Sequence, residues 1–142
     1  MRFWDTSAIV PLLLAQPSSA SMDELYRADQ RLVVWWATRV ECESALSREE
    51  RLEHLRPRAA RAARQTLDQL AATWQEMAAR DALRETARRL LRTHDLRAAD
   101  ALQLAAALFA AEQRPQSLPF VCLDERLGRA AEKEGFAVSG LS

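Results

Sequence analysis

Hydrophobic and polar positions divide the chain into short apolar runs and longer stretches with helical spacing. The apolar runs, some rich in β-branched and aromatic residues, predict strands at 2–4, 31–36, 73–77, 119–123 and 136–138. The longer stretches repeat apolar residues three and four positions apart. They predict helices at 7–15, 18–28, 38–50, 57–72, from 81 onward, 97–113 and 124–134. Asp81 is predicted to cap the fifth of these helices and Gly135 to close the last.

The run Arg31–Trp36 lacks polar alternation, which is typical of a strand covered on both faces. Its two tryptophans, Trp35 and Trp36, are therefore predicted to lie in the core rather than to form a base-stacking platform. Strands that alternate with helices predict an α/β fold with a mainly parallel central sheet flanked by helices on both sides. Chemistry in such sheets gathers in the crevice beyond the carboxyl ends of the strands.

The composition is that of one soluble globular domain covering residues 1–142, with 49% apolar and 28% charged residues. The formal net charge is +0, so no global field draws the chain toward nucleic acid. All of its 20 basic residues except Lys133 are arginine. Arginine suits bidentate phosphate contacts, but this excess alone says little about function.

The two cysteines, Cys42 and Cys122, stand in apolar contexts without CxxC spacing. Together with two histidines they are too few for a zinc site, so we expect buried, reduced thiols in a cytoplasmic protein. The apolar run Ala8–Leu14 is shorter than a typical signal sequence and much shorter than a membrane span. We therefore expect no association with a membrane.

Four acids fall where the predicted crevice opens. Asp5 ends the first strand, Asp124 follows the run at 119–123, and Glu41 lies in the first turn of the helix after the second strand. These positions share the carboxyl edge of a parallel sheet. Asp100, in the first turn of the most strongly patterned helix, can point its carboxylate into the same space. The pattern favours a cluster of carboxylates.

Each acid also has a purely structural explanation. Asp5 and Asp124 precede helices and can act as N-caps. The segment from Thr38 to Glu41 has the spacing of a capping box. Asp100 in a first helical turn complements the helix dipole. Four such coincidences at one edge are less expected than one, and the flanking residues strengthen the functional interpretation.

The segments around the acids resemble the four motifs of PIN-domain nucleases. They are FWDTSA at 3–8, TRVECESAL at 38–46, LRAADALQLA at 96–105 and FVCLDERL at 120–127. The third is the most specific, and the motifs occur in order over nearly the whole chain. Within the family, the resemblance is strongest to VapC, the toxin half of bacterial toxin–antitoxin pairs.

Carboxylates are hard oxygen donors suited to Mg²⁺ or Mn²⁺, and clustered acids need a cation to remain ionised together. Our hypothesis makes Asp5 and Asp100 the principal metal ligands. Glu41 and Asp124 then complete the shell, activate the attacking water or hold a second ion. The hydroxyl of Thr6 or Ser7 can bond the phosphate or a ligand carboxylate.

The resemblance implies a Mg²⁺-dependent endoribonuclease that forms a homodimer and is inhibited by a cognate antitoxin. Two alternatives stay open: a housekeeping PIN nuclease of RNA maturation or DNA processing, and a catalytically inactive PIN-like module that binds RNA or protein. Metal-dependent cleavage separates the inactive module from both enzymes. A neighbouring reading frame for a DNA-binding antitoxin separates the toxin from the housekeeping enzyme.

One departure from the family pattern lies in the fourth motif. Cys122 occupies the position where Thr or Ser usually stands, so a hydroxyl that would orient Asp124 or a metal-bound water is missing. A rival also exists for the second acid, since Glu43 is two residues from Glu41. Two residues along a helix turn the side chain by about 200°, and we expect Glu41 to face the site.

Overall fold

The computed structural model describes residues 1–141. The strands are β1 (Arg2–Trp4), β2 (Leu32–Trp35), β3 (Gln75–Met77), β4 (Phe120–Val121) and β5 (Val138–Ser139). The helices are α1 (Thr6–Leu13), α2 (Ser19–Ala28), α3 (Thr38–Arg51), α4 (Pro57–Ala71), α5 (Asp81–Thr93), α6 (Ala98–Ala110) and α7 (Glu125–Lys133). A 3₁₀ turn, Pro115–Ser117, precedes β4.

The sheet has the order β3-β2-β1-β4-β5, and all of its neighbouring strands are parallel. In the central strand, Phe3 lies opposite Val33 on one side and Phe120 on the other. The chain runs outward from β1 through β2 to β3, then returns to place β4 on the other flank of β1. The strand order therefore reverses between β1 and β4, which is where α/β sheets open their crevice.

Both faces of the sheet are covered, which confirms the predicted fold class. Along β1, Phe3 points into a core built with α5, α6 and α7, and Trp4 into a second core built with α1 to α4. The rings of Phe3 and Phe120 stack with centroids 5.4 Å apart. Fully burying each such side chain contributes about 1.5–3 kcal/mol, so these contacts fix the register at the centre of the sheet.

Helix α6 is buried along most of its length because Ala and Leu fill both its sheet-facing side and its contact with α5. Apart from Asp100, its one polar residue is Gln103. Helix α7 begins after its N-cap, Asp124, and the chain leaves it through Gly135, whose φ of +107° favours glycine. The predicted closure of this helix by Gly135 is confirmed.

The edges of the predicted strands are less accurate than their order. The strand predicted at 136–138 is observed at Val138–Ser139, because the Phe136 N–H bonds to the Ala131 carbonyl at the end of α7. β4 contains only Phe120 and Val121 of the predicted run at 119–123. Ladder bonds thus form over a shorter span than the apolar pattern covers.

The prediction that both tryptophans are buried is wrong for Trp36. Trp35 is buried on the α5–α6 side of the sheet, but 57% of Trp36 is exposed. β2 ends at Trp35, and the Trp36 N–H still bonds to the Met77 carbonyl while its side chain lies beyond the covered part of the strand. Asp81 is likewise not a cap, because Arg80 occupies the N-cap position of α5 and makes no side-chain capping bond.

Cys42 and Cys122 are buried free thiols, as the sequence predicted. Burial raises the pKa of Cys42 to about 12 and also raises the pKa of Cys122. Both side chains are therefore protonated at neutral pH. No helix within residues 1–141 has the length and apolar character needed to cross a membrane.

Candidate active site

Asp5 follows β1 directly and is almost completely buried, with 4% of its surface exposed. Its Oδ2 accepts hydrogen bonds from the Ser7 N–H at 3.2 Å and from the Ser7 hydroxyl at 2.5 Å. The bond from the Ser7 N–H caps α1, so the prediction that Asp5 can act as an N-cap is correct. An ordinary cap lies at the surface, whereas this carboxylate faces the crevice between β1 and β4.

The Ser7 hydroxyl also joins the two central strands. Besides donating to Asp5, it accepts a 2.9 Å hydrogen bond from the Leu123 N–H just beyond β4. The thiol of Cys122 lies 3.7 Å from Asp5 Oδ2 and 3.2 Å from the Asp124 carbonyl oxygen. A thiol is only a weak hydrogen-bond donor. The Ser7 hydroxyl lies 3.8 Å from the Cys122 sulfur, so a hydroxyl is present next to the position where the fourth motif lacks one.

Glu41 reaches from the first turn of α3 toward α1 and α6. Its Oε1 accepts hydrogen bonds from the Thr6 hydroxyl at 3.0 Å and from Gln103 Nε2 at 2.7 Å. The capping-box interpretation is wrong, because Ala37 is the N-cap of α3 and no side chain caps it. Glu43 points elsewhere and forms a 2.6 Å ion pair with Arg64 on α4.

Gln103 is a member of the site that sequence reasoning missed. It is 1% exposed, and Nε2 contacts the hydroxyls of Thr6 at 3.0 Å and Thr38 at 3.1 Å besides Glu41. Its Oε1 is buried without a hydrogen-bond partner. A signal was present in the sequence, since Gln103 is a lone uncharged polar residue in an apolar helix, three positions after Asp100 and so on the same face.

Asp100 and Asp124 lie on the α6–α7 side of the crevice. Asp124 caps α7 by accepting a 3.0 Å hydrogen bond from the Leu127 N–H. Partial burial raises the pKa of Asp100, and the charge of Asp124 raises it further. Arg97 and Arg126 act in the opposite direction and lower that pKa. The two acids are thus close enough for their charges to interact.

The carboxylates of Asp5 and Glu41, on the other side of the crevice, belong to the same electrostatic cluster as Asp100 and Asp124. The pKa of Asp5 is raised from 3.8 to about 6, chiefly by burial. The hydrogen bonds from Ser7 lower this pKa, while repulsion from Glu41 and Asp100 raises it further. Burial also raises the pKa of Glu41, as does Asp100, while Thr6 and Gln103 lower it. The structure therefore brings all four predicted acids to one edge of the sheet.

The chemistry of these donors fits a divalent cation such as Mg²⁺. All are carboxylate oxygens, and a cation would offset the repulsion that raises their pKa values. Within residues 1–141, no three His, Cys, Asp or Glu side chains are grouped closely enough to hold a metal ion. Mg²⁺ typically takes only one or two carboxylates and fills the rest of its shell with water and substrate phosphate.

The fold and this acidic edge define the class of the protein. The model of the PIN domain matches residues 2–133, and the chain belongs to the PIN domain family. PIN domains are generally nucleases, and such nucleases generally use divalent metal ions.

Solved structures show the same fold. PAE2754 from Pyrobaculum aerophilum superposes with a TM-score of 0.66 at 22% identity, covering 96% of this chain and 87% of that one. FitAcB from Neisseria gonorrhoeae gives a TM-score of 0.62 at 23% identity, covering 97% of this chain and 96% of that one. No curated protein matches the sequence significantly. At these identities the likeness concerns the fold alone.

Proposed function

We propose that the protein is a Mg²⁺-dependent endoribonuclease and the toxin component of a type II toxin–antitoxin system. The observation that carries the proposal is the cluster of Asp5, Glu41, Asp100 and Asp124 at the point where the strand order reverses. In a nuclease fold, four carboxylates at that point, each of which interacts with at least one other, have the right chemistry to act on a phosphodiester. The motif resemblance to VapC adds the toxin role.

Asp5 and Asp100 hold the metal ion in this proposal, with Mn²⁺ as a substitute for Mg²⁺. When bound, the ion polarises the scissile phosphodiester and lowers the pKa of a coordinated water. Glu41 and Asp124 complete the shell or accept the proton of the attacking water. Water adds at phosphorus as the bond to one ribose oxygen breaks.

Neutral donors keep the carboxylates in place for this chemistry. Ser7 orients Asp5, while Thr6 and Gln103 orient Glu41. The two histidines pair with other acids, His54 with Glu49 and His94 with Glu134. The proposed reaction needs no histidine base.

RNA cleavage by the purified protein tests the proposal. RNA should be cut in Mg²⁺ or Mn²⁺ and stay intact in EDTA. Asp100→Asn should reduce the rate about 100-fold or more, because it removes a ligand of an ion that contributes several kcal/mol to transition-state stabilisation.

Glu43→Gln is the matched control, since it removes a charge from the same helix as Glu41 but at a residue paired with Arg64. Its rate should stay within about twofold of the wild type, as expected for a surface ion pair. Full activity in EDTA would contradict the metal hypothesis. A large loss in Glu43→Gln with none in Glu41→Gln would contradict the assignment of the second acid.

Further features of the proposal concern partners and location. The toxin role implies a homodimer in the cytoplasm and a cognate antitoxin protein that inhibits cleavage. The resemblance of the four motifs to VapC supports these features. Co-purification with the product of the neighbouring reading frame, and loss of RNA cleavage in that complex, would test the antitoxin directly.

A further inference from the structure

Positive charge lies on one side of the acidic cluster. Arg97 is the N-cap residue of α6, three positions before Asp100, and Arg126 is the second residue of α7, two positions after Asp124. Both side chains are exposed. Their position at the starts of α6 and α7 puts them at the edge of the sheet where the acids gather.

Arg126 lies against the loop that leads to Arg97. Arg126 Nε lies 3.9 Å from a carboxylate oxygen of Asp95, which stands two residues before Arg97 in the loop between α5 and α6. Asp95 is 92% exposed, so this long contact holds Arg126 only weakly. Arg97 takes part in no ion pair in the described part of the chain. Both guanidinium groups are therefore free to bind an anion.

The other side of the cluster has a different character. The donors to Asp5 and Glu41 are the neutral groups of Ser7, Thr6 and Gln103. A groove of about 520 Å³ leads away from Glu41 between α1 and α3, lined among others by Arg48 and by Glu49. In this groove Arg48 stands with two acids, Glu41 and Glu49, which makes it a poorer path for a polyanion than the surface where Arg97 and Arg126 flank the exposed Asp95.

We propose that Arg97 and Arg126 bind backbone phosphates of the RNA strand next to the scissile one, so that the strand lies across the starts of α6 and α7. The inference rests on the proposed function and adds to it the path that the RNA strand follows away from the acidic cluster. Guanidinium groups match phosphate oxygens in a bidentate geometry. Such contacts position a strand without reading its sequence, and here they offset the repulsion between the acids and RNA.

Binding of a fluorescein-labelled single-stranded RNA of mixed sequence tests the inference. Affinity is measured by anisotropy over a series of salt concentrations, in Mg²⁺ and in an Asp5→Asn background that prevents cleavage. Each lost phosphate contact lowers the slope of log K against log salt by about 0.7 for a single strand. Arg97→Ala/Arg126→Ala should therefore flatten the slope by about 1.4 and weaken binding several-fold.

The charge-matched control is Arg58→Ala/Arg61→Ala, two exposed arginines in the first turns of α4, at the far end of the α3–α4 pair from Glu41. Its slope should equal that of the parent. An equal loss in this control would mean that net charge alone matters and would overturn the inference. The same conclusion follows if the parent does not bind, or if Arg48→Ala weakens binding more than the Arg97/Arg126 pair does.

Kinetics in the wild-type background separate this inference from the proposed function. At saturating Mg²⁺, Arg97→Ala/Arg126→Ala should raise KM by a larger factor than it lowers kcat, because the phosphate contacts bind ground and transition states alike. If no metal-dependent cleavage occurs, the proposed function fails while the salt slopes still decide the role of the arginines. If cleavage occurs but the slopes of the two double variants agree, only the inference fails.

Discussion

Asp5 combines a capping role with a buried charge. Its carboxylate satisfies an N–H at the start of α1, as caps in most helices do, yet its burial among other acids makes ionisation unfavourable. The free energy lost by burying this group is recovered only when a cation or a proton joins the cluster. A residue that the sequence explains as an N-cap is therefore also part of a buried acidic cluster.

The raised pKa of Asp5 makes a prediction about stability in EDTA. As pH rises from 3.8 toward about 6, the unfolded chain releases the Asp5 proton before the folded protein does. The free energy of unfolding therefore falls through this window, by at most about 3 kcal/mol from this residue. Asp5→Asn, which keeps a capping side chain, should lack this loss and become more stable than the wild type at pH 7.

Urea melts of both proteins at pH 4 and pH 7 measure the difference. Asp29→Asn is a control of opposite sign, because Arg31 and the N-terminal amine lower the pKa of Asp29. The stabilisation from Asp29 should disappear as pH falls, so this variant should differ least from the wild type in acid. A constant gap between wild type and Asp5→Asn at all pH values would mean that Asp5 is not buried as described.

The sequence predicted the location of the four acids well and the groups that contact them poorly. Asp5 and Asp124 were found because a residue that follows a strand must lie at the strand's end, whatever its side chain does. The bonds of Ser7 and Gln103 depend on which residues of distant segments face each other, and a single sequence does not encode that explicitly. Trp36 was misplaced for a related reason, since burial depends on the covering elements.

At the scale of elements, the predicted order of helices and strands agrees with the structure, while the strand ends differ. Helices such as α6 carry their signal over several turns, so small errors at the ends do not hide them. β4 and β5 contain two residues each, and ladder pairing with a neighbour defines them. An apolar run predicts that a strand exists, but the ends of the strand depend on how far the neighbouring strand pairs with it.

The hydrogen bonds of Gln103 connect α6 to α1 and α3, and replacing this residue tests what they contribute. Gln103→Met keeps the length of the side chain but removes the donor to Glu41. We expect a loss of about 1–3 kcal/mol in unfolding free energy, because buried acceptors lose their partner. The cleavage rate of the folded variant should also fall, since Glu41 is no longer held.

Thr38→Val is the control for this variant, because it removes one contact of Gln103 and leaves its bond to Glu41. Thermal melts and cleavage rates, both measured well below the melting temperature, separate the two effects. Thr38→Val should change stability more than rate. If Gln103→Met is less stable but cleaves RNA at the wild-type rate, Gln103 has a purely structural role.

At the scale of the whole molecule, the proposed toxin role predicts an effect on living cells. Expression of the wild-type chain alone should arrest the growth of a bacterial host, because unregulated RNA cleavage stops protein synthesis. Asp100→Asn should relieve the arrest at equal soluble expression, and so should co-expression of the cognate antitoxin. Growth curves with immunoblots for protein level provide the measurement.

A host that grows normally with abundant soluble wild-type protein would argue against the toxin role. Metal-dependent cleavage in vitro together with normal growth would favour the housekeeping nuclease. Absence of both would favour the inactive binding module. The Asp100→Asn variant controls for toxicity that comes from overproduction alone.

The position of β1 in the middle of the sheet has a consequence for the order of folding. Phe3 is synthesised long before Phe120, which is one of its two partners in the sheet. Contacts between residues so distant in sequence form late in folding, because a long loop must be ordered before they form. Until β4 emerges, β1 keeps an open edge and Asp100 lacks the neighbouring charge of Asp124. A nascent chain on the ribosome, surrounded by RNA, thus lacks the complete acidic cluster until β4 has joined the sheet.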